Sequence, residues 1–203
     1  MKPELLLATN NKGKIAEYRE LLSGCGYRLV TPAEKGISLE VSETGSTFAE
    51  NAALKAKAFA AASGLLTLAD DSGLEVDVLG GEPGVRSARY AGEKASDADR
   101  IALLLKNIEG VPSEKRTARF RCVIAIADPN GRLDLAEGAV EGLIGMAPRG
   151  NYGFGYDPVF LLPGRGETMA ELLPEEKDRI SHRAVASFKA CQMLMTKRAQ
   201  ILR

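Results

Sequence analysis

Leu68-Ala69-Asp70-Asp71-Ser72-Gly73 is the stretch around which the chain is organised. Apolar Leu65, Leu66 and Leu68 lead into it and read as a buried strand ending at two adjacent carboxylates. Ser72-Gly73 reads as a turn, and Leu74-Glu75-Val76-Asp77-Val78 alternates behind it like a half-buried strand. Two carboxylates at a strand end are costly to bury unpaired, but facing a cleft they can hold a cation. Hard oxygen ligands suit Mg²⁺, which takes one or two carboxylates and completes its shell with water and substrate phosphate. Taken alone the stretch reads as a solvated turn, because Asp and Ser favour turns. The rest of the chain is what favours the metal site.

Upstream, Glu4 to Thr9 reads as a first buried strand. It enters Thr9-Asn10-Asn11-Lys12-Gly13-Lys14 and then a helix with Ile15, Tyr18 and Leu22 on one face. A strand, a polar loop with glycine and a helix N-terminus make an anion site, because free backbone N–H groups and the positive end of the helix dipole converge there. Lys12 and Lys14 add charge. The Walker A spacing is absent, and a plain capped helix start with surface lysines fits equally well. Tyr27 to Thr31 reads as a second strand. Thr47-Phe48-Ala49-Glu50 is a capping box that opens a helix to about Ser63. Glu43, just before that helix, is a candidate metal ligand or a solvated residue. Lys55 reads as solvated or as a phosphate contact.

Downstream, Gly80 to Tyr90 is a shaped loop carrying Arg86 and Arg89, and Ser96 caps a helix with Ile101, Leu104, Leu105 and Ile108 on its core face. Arg116 to Asp128 and Arg132 to Glu141 read as two strands joined at the Pro129-Asn130-Gly131 turn, which implies a mixed sheet. In Gly153-Phe154-Gly155-Tyr156-Asp157, glycines leave an aromatic ring free to stack on a flat ligand, and Asp157 can accept from ring N–H groups; taken alone, a tight turn with core aromatics fits better. Lys177 and Arg183 are donors that cannot accept, and His182 is the only histidine, which excludes a histidine-built metal site. Ala184, Phe188, Cys191 and Met195 fall on one helical stripe, a core or dimer contact.

Composition bounds these readings. Two hundred and three residues suffice for one large domain or two lobes. Lys+Arg and Asp+Glu are 27 each, so no basic excess points to a nucleic-acid footprint. Cys25, Cys122 and Cys191 are odd in number and far apart, which suggests reduced thiols in a cytoplasmic protein. Leu5-Leu6-Leu7-Ala8 is too short for a signal peptide or a membrane span, so no membrane partner is expected. A phosphate loop, a carboxylate metal site, an aromatic platform and a donor-rich segment are together satisfied by a nucleoside triphosphate with Mg²⁺. Spacing carries the reading to an Mg²⁺-dependent nucleotide-binding α/β protein and no further.

TNNKGK at 9–14, ETGSTFAENAALKA at 43–56, ADDSGLEVDVLGGEPGVRSARYAG at 69–92, GFGYDPVF at 153–160 and SHR at 181–183 closely resemble the inosine triphosphate pyrophosphatase family, also called dITP/XTP diphosphatases. The resemblance runs from Leu5 to the C-terminal helix. It implies hydrolysis of deaminated purine nucleoside triphosphates (ITP, dITP, XTP) to the monophosphate and pyrophosphate, which cleanses the nucleotide pool and keeps them out of DNA and RNA. It also implies an α/β, two-lobed single domain over residues 1–203, with a long, strongly twisted mixed β-sheet flanked by helices, a cleft between the lobes, and a homodimer. By position, Thr9, Asn10, Asn11, Lys12, Gly13 and Lys14 resemble the triphosphate loop. Asp71 resembles the general base and a metal ligand, and Ser72 a substrate contact. Phe154, Gly155, Tyr156 and Asp157 resemble the base platform, with Phe154 stacking on the purine, and Lys177, His182 and Arg183 the residues that read the base. Many members carry two acidic residues before the Thr-Gly. Here the first of those positions is Ser42, which leaves Glu43 as the second ligand for Mg²⁺.

Overall fold

The computed structural model describes residues 2–201. Eleven regular elements follow one another among them: β1 (Glu4–Leu7), α1 (Lys12–Leu21), β2 (Arg28–Val30), α2 (Phe48–Ser63), β3 (Thr67–Val76), α3 (Asp97–Asn107), β4 (Thr117–Ala127), β5 (Leu133–Ile144), β6 (Phe160–Leu161), α4 (Pro174–Ile180) and α5 (His182–Ile201). The strands form one six-stranded sheet in the order β2-β1-β3-β4-β5-β6. β1 pairs in parallel with β2 and with β3, and β5 pairs antiparallel with β6, so the sheet is mixed. No described helix is long and apolar enough to cross a membrane.

Local chemistry sets the element ends. The Asn11 side chain accepts from Lys14 N at 3.0 Å and caps α1. Thr47 and Glu50 close the reciprocal capping box of α2, and Ser96 and Asp99 do the same for α3. Asp128 Oδ1 accepts from Asn130 N and Arg132 N, which shapes the five-residue turn joining β4 to β5.

The chain divides into two compact units. The first comprises the described residues up to Asp71, Cys122–Gly138 and the chain from Arg183 onward; the second comprises Ser72–Arg121 and Ala139–His182. Each has its own core. In the first, Leu5, Leu7, Tyr18, Leu22, Leu68, Ile124, Ile126, Ala186, Ala190 and Leu194 pack together. In the second, Leu74, Val76, Leu104, Ile108, Phe120, Ile144, Val159 and Phe160 do so. The guanidinium of buried Arg116 is held in the second unit by the carbonyls of Ile108, Val111 and Gly145.

Three expectations are corrected. Ser72-Gly73 is not a turn: β3 runs unbroken through both residues, because Leu74 and Val76 continue the buried side of the strand. The thiols of Cys25 and Cys191 are not free: their Cα atoms lie 5.1 Å apart and they form a disulfide across 166 residues. Distance along the chain conceals that pairing, because packing of α5 into the first core brings the two residues together. Cys122 is free and buried. On α5 the most deeply buried apolar residues are Ala186, Ala190 and Leu194; of the expected stripe, Ala184 is buried and Cys191 packs partly against the first core. Phe188 and Met195 are exposed, which removes the core reading for them.

Candidate active site

In the first unit the chemistry gathers around β3. Successive side chains on a strand point to opposite faces, so Asp70 and Asp71 enter different surroundings. Asp70 lies 2.9 Å from Lys14 Nζ and 3.6 Å from the Arg183 guanidinium. Arg183 is itself 1% exposed and pairs with Glu17 at 2.5 Å. Burial alone would raise the pKa of Asp70. The charges of Lys14, Arg183 and Lys55 outweigh it and hold the carboxyl well below its usual range. Asp70 is therefore a fixed anion that closes a buried charge cluster.

Asp71 behaves oppositely. Burial and repulsion from Glu43 push its pKa up, against the pull of Lys55, Lys14 and the hydrogen bond from Asn51. Asn51 Nδ2 donates to Asp71 Oδ2 at 3.1 Å, and Lys55 Nζ lies 3.6 Å from Asp71 Oδ1 and 2.7 Å from Glu43 Oε1. The pKa of Lys55 would be lowered by burial, but the carboxylates of Asp71, Asp70 and Glu43 reverse that and raise it. A carboxyl whose neutral form is favoured takes up a proton more readily than an ordinary aspartate, as a base requires.

Glu43 and Asp71 converge on one cation, the Lys55 ammonium. No group of three or more His, Cys, Asp or Glu side chains that could hold a metal occurs among the described residues. Magnesium does not need one, since it binds through one or two carboxylates and substrate phosphate. The donor set therefore fits that ion.

The N-terminal loop sits where the sequence places it. Asn11 N donates to Thr9 Oγ1 at 3.2 Å, Asn10, Asn11 and Lys12 are exposed, and Lys12 and Gly13 open α1. Lys14 turns to Asp70.

The second unit brings together another part of the set. Phe154 is half-buried, with Lys177 Nζ 4.9 Å from its ring centroid. Lys177 pairs with Asp157 Oδ2 at 2.6 Å, and the same oxygen accepts from Phe154 N at 2.9 Å. Gly153 has φ +75°, and a Cβ there would lie 2.1 Å from Asp157 Oδ2, so only glycine lets the loop close on that carboxylate. Gly155 N donates to Asp97 Oδ2 at 2.7 Å. Tyr156 is buried and its hydroxyl donates to Ser87 O, which makes it an anchor of the loop. His182 is buried and stacked on Phe120, with centroids 4.8 Å apart. Ser72 is half-buried on β3.

Thus Lys177, Asp157 and Phe154 form one cluster, and Asp71, Glu43 and Lys55 another. Arg183 belongs to the first unit, with Asp70 and Glu17 as partners there. Sequence reasoning missed Asn51 and Glu17. Helical spacing is the signal for both: Asn51 lies four residues before Lys55 on α2, and Glu17 three after Lys14 on α1.

The model of the Ham1 family matches residues 5–193. The chain is 56% identical over 191 residues to a dITP/XTP pyrophosphatase of Desulforamulus reducens, spanning 94% of this chain and 95% of that one. It is 49% identical over 191 residues to a dITP/XTP pyrophosphatase of Bacillus subtilis, spanning 94% and 96%. Among solved structures, a HAM1 protein from Coxiella burnetii matches with a TM-score of 0.87 at 43% identity, spanning 96% of this chain and 99% of that one. The Ham1 protein of Staphylococcus aureus matches at 0.85 and 42%, with the same spans.

Proposed function

The chain belongs to the Ham1 family, and from that premise we propose that it hydrolyses dITP, XTP and ITP to the nucleoside monophosphate and pyrophosphate. The observation that carries the reading is the placement of Asp71: a buried carboxyl held by Asn51, beside a lysine that it shares with a second carboxylate. Such a group suits removal of a proton from a water that attacks a phosphoryl centre. The water supplies hydroxide to phosphorus, its proton goes to Asp71, and the bond between the α and β phosphates breaks as pyrophosphate leaves.

The phosphates are assigned to Thr9 through Lys14 and to Lys55. The backbone N–H groups opening α1 and the ammonium groups of Lys12, Lys14 and Lys55 supply charge without a Walker loop. Asp71 and Glu43 would hold Mg²⁺, which when bound neutralises negative charge on phosphate oxygens.

The base is assigned to the second unit. Phe154 offers the ring that stacks, and Lys177 is the donor lying against it. Hypoxanthine and xanthine carry an acceptor oxygen at C6 where adenine carries an amine. A donor facing C6 pairs with the oxygen and strands the amine; sites built to pair with a polar group reject the wrong partner by roughly 10⁴–10⁵. Arg183, engaged by Glu17 and Asp70, is assigned to holding the charge cluster beneath the phosphate loop. A cytoplasmic setting and a homodimer complete the proposal. The exposed Phe188 and Met195 on α5 support the dimer, which sedimentation tests.

The reaction is tested by ³¹P NMR of a dITP digest. Monophosphate and pyrophosphate signals growing in equal amounts support it; a diphosphate with orthophosphate refutes it. The variant Asp71→Asn should lower turnover by roughly 10²–10⁴-fold, and near-normal turnover removes Asp71 as the base.

A further inference from the structure

Asn51 is fully buried on the face of α2 that also carries Lys55. Its amide has both of its polar ends used. Gly45 N donates to Oδ1 at 2.8 Å, and Nδ2 donates to Asp71 Oδ2 at 3.1 Å. The backbone N–H of Gly45 can only donate, so the amide oxygen faces Gly45 and the NH₂ faces the carboxylate. An amide presents donor and acceptor at this reach, and a hydroxyl or a carboxylate of similar length does not replace it.

Gly45 is also constrained. A Cβ at this position would lie 2.6 Å from Glu50 Cβ and 2.7 Å from Asn51 Oδ1. The chain therefore closes directly onto the amide, two residues beyond Glu43. The terminal torsion of an aspartate is broad and two-fold, and the carboxylate rotates unless something holds it. Here Lys55 approaches Oδ1 and Asn51 holds Oδ2, so one helix addresses the two oxygens separately.

We propose that Asn51 is the positioning residue for Asp71, fixing the rotation of its carboxylate and tying it to the segment that carries Glu43. The inference rests on the reading of Asp71 as the base. It extends that reading to a residue that acts through the Asp71 carboxylate.

The test is steady-state hydrolysis of dITP by the full chain, with Asn51→Ala, Asp71→Asn and the double variant. Alanine suits a helix interior, so the fold is retained. Should the melting temperature of Asn51→Ala fall by more than about 10 °C, roughly 3–5 kcal/mol for a chain of this size, Asn51→Ser carries the same measurements. A misoriented catalytic group typically costs on the order of 10²-fold. The expected result is a kcat lowered about 10–100-fold with KM within about threefold, and an α,β-imido dITP analogue bound within about threefold of the parent, as for an effect on orientation alone. In the Asp71→Asn background the same change should alter the residual rate by less than about twofold, because the group it positions is already lost. A kcat within about twofold of the parent, or an equal loss in both backgrounds, overturns the proposal. Near-normal turnover of Asp71→Asn by itself overturns the parent reading first, and this inference with it.

Discussion

Adjacent carboxylates with opposite electrostatic fates make a sharp prediction. Asp70→Asn and Asp71→Asn are both isosteric and each removes one charge from β3, yet their consequences for stability should differ in size and sign. Asp70 is buried and ionised, within 2.9 Å of Lys14 Nζ and 3.6 Å of Arg183. Removing its charge takes one carboxylate from the buried guanidinium, which keeps its pair with Glu17. Breaking a buried ion pair from one side costs about 3–5 kcal/mol, which for a chain of this length lowers the melting temperature by roughly 6–20 °C. Because the folded pKa of Asp70 lies below the ordinary value of 3.8, its contribution is present above about pH 3.8 and is lost as pH falls through the folded value. Asp71 has a raised pKa, so the fold favours its neutral form and any contribution is lost as pH rises through the folded value. Neutralising Asp71 should leave stability at pH 7 unchanged or slightly higher, while turnover falls by roughly 10²–10⁴-fold. Urea unfolding of both variants at pH 7, repeated at about pH 2.5, measures this. An Asp70→Asn variant within about 1 kcal/mol of the parent, well short of the buried-pair cost, refutes the reasoning. An Asp71→Asn variant less stable than Asp70→Asn does so too.

Lys55→Met removes the ammonium shared by Asp71 and Glu43 and should lower kcat/KM for dITP at least about 100-fold, the usual scale for a lost charge stabiliser; a loss under about threefold contradicts the assignment. Lys177→Met, made together with Asp157→Asn so that no buried carboxylate is left unpaired, should erase at least about tenfold of the XTP-over-ATP preference; an unaltered ratio removes Lys177 from base reading. Burial pushes the Cys122 thiol from 9.0 up to about 12. Stability should be full below pH 9 and fall as pH rises from 9 toward 12, by up to about 4 kcal/mol. In Cys122→Ser that alkaline slope should be shallower by about 1 kcal/mol per pH unit; equal slopes between pH 9 and 10.5 contradict the cause.

Much of this molecule is legible in local sequence. The capping boxes at Thr47 and Ser96, the Asn11 cap and the turn after β4 depend on residues two to four apart, and the structure has them there. Ser72-Gly73 misleads because turn propensity is a local preference, and the burial of Leu74 and Val76 overrides it. The Cys25–Cys191 pair and the Asp70–Arg183 contact join residues more than a hundred positions apart, which no spacing rule connects. The role of Asn51 is hidden in the sequence for a different reason. It follows the capping box directly, where polar residues ordinarily serve the helix end, and only burial reveals that its amide faces Asp71. Phe188 and Met195 show the limit of periodicity: it finds a stripe on α5, but the small side chains Ala186 and Ala190 are the ones that pack.

The proposed function makes a buried base and an oxygen-ligand cation site responsible for hydrolysing deaminated purine triphosphates. Pyrophosphate release from dITP, XTP, ITP, ATP and GTP, with and without Mg²⁺, tests it most directly. Fast, Mg²⁺-dependent release from the first three and little from the last two is the predicted result. Release from none of the five, with dITP still bound, would contradict it and leave a nucleotide-binding protein without this chemistry.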